Sequence, residues 1–184
     1  FGALITACFT PMHIARTSEP PPAAPPPSSP QEVVTVVEPP PLLLVFVKKA
    51  NRDLSADEAE RVARLVQQVA EEEKLDVALF GSIVRHESNF ESGLKQCQKT
   101  NGRRNCDYGL AQVNSYWIDE WELDAAKLRY DDLYNLRISA KILKDVLSRH
   151  KGPLGYVYYY SATPELQPAY AERVEGFRKV ALVD

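Results

Sequence analysis

Residues 77–92 read VALFGSIVRHESNFES. Val77, Phe80, Gly81 and Val84 recur at the spacing that places them on one face of an α-helix, and Asp76, immediately ahead, supplies an N-cap. Glu87 continues that face, seven residues after Phe80 and three after Val84, so the helix is predicted to carry a carboxylate on the inward side of its last turn. A carboxyl group there meets desolvation and the negative pole of the helix dipole, and both favour the protonated acid at neutral pH. Such a group suits general acid chemistry. A single glutamate also suits a helix cap or an ion pair with Arg85 or Lys95, and alone it does not choose between these roles.

Helical spacing extends on both sides. Ser55 and Glu58 form a capping box ahead of Val62, Leu65, Val66 and Val69, and the Glu71-Glu72-Glu73 run that follows reads as a solvated face. A third helix is predicted to start near Tyr108. A long one is predicted from Asp132 to His150, with Leu133, Leu136, Ala140, Leu143 and Leu147 in line and Gly152-Pro153 ending it. The aromatic run LGYVYYYSA is assigned to helix by its surroundings, and a last helix to Gln167–Leu182 with Tyr170, Val174 and Phe177 inward. The expected fold is all-α, with a mainly helical α+β arrangement as the variant.

The 184-residue chain has a net charge of -3, which provides no basic field for nucleic acid or acidic lipid. Ten of its fourteen prolines fall between Pro20 and Pro41, so residues 19–46 are read as an extended linker that buries no sheet or helix. Ahead of it, residues 1–18 read as the tail of a signal sequence. Leu4-Ile5-Thr6-Ala7-Cys8 is similar to a bacterial lipobox, which marks Cys8 for lipidation and the lipid as the expected membrane contact. This leaves residues 47–184 as the folded domain. In an exported protein, Cys97 and Cys106 are expected to form a disulfide around a short polar loop. With two sulfurs and no histidine at ligand spacing, no metal is expected.

Four further stretches fall in order along the chain. Glu87-Ser88-Asn89-Phe90 is followed by Ser92, then by Gly109-Leu110-Ala111-Gln112, and then by Asn135 in DDLYNLRISAKIL. Tyr160-Ser161-Ala162 and Tyr170-Ala171-Glu172-Arg173-Val174 close the series. In this order residues 60–180 resemble the family 1 lytic transglycosylases, lysozyme-like enzymes of the SLT type that cut peptidoglycan. The run Asp107 to Trp117 is most similar to the branch serving secretion and conjugation machines. Ala111, Ser161 and Thr163 depart from the family's usual Met, Asn and Gly, which bears on substrate fit.

The resemblance implies a lysozyme-like fold, a bacterial periplasmic location and peptidoglycan strands as substrate, with no cofactor. It implies Glu87 as sole catalytic acid, with Ser92 and Tyr160 orienting it or the reacting N-acetyl group. Gln112 and Asn114 would line the sugar groove, with Tyr170 beside them or only packed. A goose-type muramidase and a binding module without turnover are the alternatives. Asp107, Glu91, Asp119 and Glu120 lie near in sequence but read as surface charges. Trp117 and Trp121, four apart, fit a sugar-stacking surface or plain core.

Overall fold

The computed structural model describes residues 41–100 and 102–181. Cys8 and the other residues before 41 lie outside it. All described residues fall in one compact unit, Glu38–Asp184.

Helix α1, Leu44–Ala50, begins inside the stretch read as linker, and Leu43, Phe46 and Val47 are buried in the main core. The proline run ends at Pro41, and the apolar LLLVFV that follows can bury what prolines cannot. The ring of Phe46 meets Phe90 edge-on, with centroids 5.8 Å apart. The folded domain therefore starts several residues ahead of position 47.

Helix α2, Ala56–Glu72, has the predicted capping box: Glu58 N–H donates to Ser55 Oγ at 3.2 Å and Ser55 N–H to Glu58 Oε2 at 3.0 Å. Val62, Val66 and Val69 face the core. Helix α3, Val77–Ser88, buries Phe80, Ile83 and Val84 and ends where Asn89 turns into the left-handed region at φ 51°. Phe90 follows with φ 65°, so the chain reverses sharply just past Glu87.

Where a short polar loop was expected between the cysteines, and a helix from near Tyr108, the chain makes a small antiparallel sheet. Strands β1, Lys95–Thr100, and β2, Arg103–Tyr108, pair with Cys97 opposite Cys106, and those two cysteines are disulfide-bonded. Strand β3, Val113–Asn114, joins the free side of β2. Helical structure resumes only at α4, Ser115–Trp121, and α5, Ala125–Tyr130. The hairpin is so polar that no apolar period of either kind marks it, and the cross-link and backbone pairing hold it instead.

The long α6, Asp132–Arg149, packs on α2. Part of the acidic run on α2 is not simply solvated, since Glu72 pairs with Arg137 at 3.1 Å and Glu73 with Lys144 at 2.7 Å. The aromatic run forms only one helical turn, α7, Val157–Tyr160. The terminal α8, Gln167–Ala181, lies against α3 with Tyr170 and Val174 buried. The fold is thus mostly helical with one small sheet. Among the described residues no helix is long and apolar enough to cross a membrane.

Candidate active site

Glu87 sits on the last turn of α3, just ahead of the reversal at Asn89 and Phe90. Tyr170, buried on α8, donates its hydroxyl to Glu87 Oε1 at 3.4 Å. Across the cleft, Asp107 on β2 is the nearby negative charge. Burial is the main cause that pushes the Glu87 carboxyl up to about 8, with Asp107 adding to it and the Tyr170 hydrogen bond opposing it. Glu87 is therefore mostly protonated at neutral pH. Burial also raises Asp107, against a 2.6 Å hydrogen bond from Asn114 Nδ2 to Asp107 Oδ1.

Two cavities meet at this pair of acids. One, of about 400 Å³, runs over Tyr116, Trp117, Tyr158 and Leu166. The other, of about 360 Å³, is lined by His86, Gln96 and Cys97. Glu87, Gln98, Asp107, Gln112 and Tyr160 line both. The cleft thus has an aromatic arm and a polar arm. The strand period accounts for the polar wall, because Gln96 lies opposite Asp107 and two residues from Gln98, so all three share one face of the hairpin.

An aromatic stack forms the opposite wall. Tyr160 lies flat on Tyr170, with centroids 4.6 Å apart and planes 8° apart, and His86 meets Tyr170 at 4.7 Å. Burial, and then Arg173, keep the His86 imidazole below its usual range, which favours the neutral ring. Tyr159 bonds through its hydroxyl to the Ala111 carbonyl and to Ser139 Oγ, both at 2.9 Å. Burial, and then Glu87, raise its ionisation, so it remains a neutral phenol.

The loop carrying Gln112 is held from below. Buried Asn135 accepts from Ala111 N–H at 2.9 Å and donates to the carbonyls of Tyr108 and Leu128 at 2.7 and 2.9 Å. Gly109 crosses above it at φ +71°, where a Cβ would stand 2.3 Å from the Leu128 carbonyl and 2.4 Å from Asn135 Nδ2. Only glycine fits that crossing without a shift.

Of the residues expected at the site, Glu87, Gln112, Asn114 and Tyr160 line the cleft, and Tyr170 reaches it through Glu87. Gln112 and Asn114 also brace the loop, through Gln112 Nε2 to the Gly109 carbonyl at 2.7 Å and through the Asn114 cap on Tyr116 N–H at 2.9 Å. Ser92 is a correction. Its hydroxyl donates to Asp132 Oδ2 at 2.7 Å and accepts from Arg61 Nη2 at 3.1 Å, so it bolts the loop after α3 to the start of α6. It is not among the residues that line either cavity.

Asp107 is the opposite correction, a site residue rather than a surface charge. The signal for it was strand periodicity beside Cys106, hidden while the stretch between the cysteines was read as a polar loop. Trp117 lines the aromatic arm and packs against a second apolar cluster that includes Val113, Leu128 and Ile142, with Trp121 4.9 Å away. Among the described residues no group of three or more His, Cys, Asp or Glu is placed to hold a metal ion.

The chain matches no protein-family model and no curated protein.

Proposed function

We propose that this protein is a peptidoglycan lytic transglycosylase with a lysozyme-like fold and Glu87 as its single acid and base. The observation that carries the reading is a carboxyl group protonated at neutral pH at the junction of a two-armed cleft. A glycan strand laid through both arms would present one glycosidic oxygen to Glu87. A glycosidic oxygen is a poor leaving group until it is protonated, so a carboxylic acid in a desolvated position is what bond cleavage requires.

In this reaction Glu87 donates its proton to the bond oxygen as the C–O bond breaks. The N-acetyl oxygen of the muramyl residue attacks the anomeric carbon in place of a protein nucleophile. The Glu87 carboxylate then removes the proton from the C6 hydroxyl, whose oxygen displaces the N-acetyl group. The products are a 1,6-anhydro-muramyl end and a free N-acetylglucosamine end, formed without water. Tyr170 holds Glu87 in place, and Tyr160, Gln112 and Asn114 border the sugar path. A periplasmic lipoprotein anchored through Cys8 and working beside a secretion machine or other wall machinery is the setting that the resemblance supports.

Asp107 favours a second reading, a goose-type muramidase in which water is admitted to the same intermediate. A second carboxyl beside Glu87 is suited to orienting that water. The products separate the two. Mass spectrometry of purified peptidoglycan treated with the full chain is expected to show anhydro-muropeptides that vanish with Glu87→Gln. Reducing-end muropeptides would make the enzyme a hydrolase. No products from either protein, with wall binding intact, would leave a non-catalytic binding module.

A further inference from the structure

A second pocket, of about 590 Å³, opens between α3 and α8 and is lined by Arg85, Ala169, Glu172, Arg173, Gly176, Phe177 and Val180. Arg85 is partly buried, with its guanidinium carbon 3.9 Å from the Phe177 ring centroid and 5.0 Å from that of Phe46. Stacking between two rings occupies the faces of a guanidinium and leaves its N–H edge free to bind a carboxylate in the fork geometry. Neither Arg85 nor Arg173 makes a salt bridge or a side-chain hydrogen bond with any described residue. Two unpaired guanidinium groups against the single carboxylate of Glu172 leave the pocket with a positive surplus.

Gly176 adds a separate observation. It stands in the interior of α8, where glycine is less favourable than alanine, yet a Cβ there would meet nothing within 4 Å. Packing within the chain does not require the missing side chain. The bare backbone instead keeps the floor of this pocket open to close approach by a ligand.

The pocket and the polar arm of the cleft flank the same turn of α3, since Arg85 lines the one and the next residue, His86, lines the other. Arg173 acts electrostatically on His86, and His86 lines the polar arm together with Glu87.

We propose that the pocket between Arg85 and Arg173 binds the carboxylates of the peptide that branches from the muramyl residue in the cleft. This rests on the peptidoglycan reading above. Stem peptides carry free carboxylates at D-glutamate and at the residues beyond it, several bonds out from the sugar, whereas a peptide-free strand carries only the muramyl lactyl carboxylate held close to the ring. The site would make the enzyme prefer peptide-bearing strands, with the branch directed along the polar arm.

The test is a titration of the full-length Glu87→Gln protein with the tripeptide L-Ala-γ-D-Glu-diaminopimelate, followed by amide NMR shifts. Saturable shifts are expected on the 169–180 face of α8, with Kd at least tenfold weaker in an added Arg173→Gln. Gly176→Leu is expected to bind as weakly while its thermal midpoint stays level or rises, which separates a blocked pocket from a damaged fold. Arg52→Gln, an exposed charge loss elsewhere, is expected to leave Kd unchanged. Equal Kd in Arg173→Gln, no saturable binding at millimolar peptide, or inorganic phosphate binding as tightly as the tripeptide would overturn the proposal. Cleavage of peptide-free strands is read separately. Turnover without peptide binding sinks the pocket and spares Glu87, and peptide binding without turnover does the reverse.

Discussion

The two walls of the cleft are built on different physics. The helical wall, α3 against α8, presents Glu87, His86 and Tyr170 from elements whose apolar faces are buried in the main core. The hairpin wall, β1 with β2, presents Gln96, Gln98 and Asp107 from strands with almost no apolar side chains, held by a disulfide and by backbone pairing. Burial on the first wall raises the proton affinity of Glu87, and the second wall adds a charge that raises it further.

Breaking the first wall's chemistry should have the largest effect. Glu87→Gln is expected to lower turnover by ~10³-fold or more while the fold persists, measured by release of soluble muropeptides. The same change tests the protonation state through stability. A carboxyl raised to about 8 in the folded protein contributes stability that is present below the ordinary glutamate range and lost as pH rises through about 8. Wild-type stability relative to Glu87→Gln is therefore expected to fall across that window in urea melts taken from pH 5 to 9.

Next comes the support beneath the loop that joins the walls. Asn135→Ala strands three buried backbone partners and is expected to cost about 3–4 kcal/mol in chemical denaturation. A loss below 1 kcal/mol would mean that the loop holds itself. Unfastening the hairpin is expected to matter less to the fold. Replacing Cys97 and Cys106 by serine removes a cross-link spanning nine residues of sequence separation, worth ~2–3 kcal/mol by chain entropy. Activity should fall with it as Asp107 and Gln98 lose their fixed place.

A finer effect separates the contribution of each wall to proton affinity. Asp107→Asn removes the like charge but not the burial, which is the larger cause. The alkaline limb of the pH–activity profile is expected to move to lower pH while staying above the ordinary glutamate range. An unmoved limb would show that the walls are not electrically coupled. Least affected should be a pair remote from the cleft: Arg137→Ala breaks an exposed bridge to Glu72 and is expected to cost under about 1 kcal/mol.

The same contrast explains what could be read in advance. Helical period exposed α2, α3, α6 and α8, because burial on one side of a helix leaves a repeating apolar mark. It also placed Glu87, since that residue continues the mark. The hairpin leaves no such mark, so Asp107 was taken for a surface charge and the segment from Tyr108 for a helix. α1 was hidden differently, by prolines whose linker character masked the apolar LLLVFV behind them. Ser92 lay close to Glu87 in sequence, but two left-handed residues in succession turn the chain, and sequence proximity carries no record of such a turn. Asn135 was noticed only by its place in the order of motifs, and it stands near the start of α6. Its three backbone partners come from separate turns and depend on the tertiary path.

The claim on which this account rests is that Glu87 is an uncharged acid in the cleft at neutral pH. Carboxyl-carbon NMR titration of the full chain labelled at glutamate, with Glu87→Gln to assign the resonance, tests it directly. A midpoint near 8 that drops in Asp107→Asn is the predicted result, and a midpoint in the ordinary range below 5 would contradict the account.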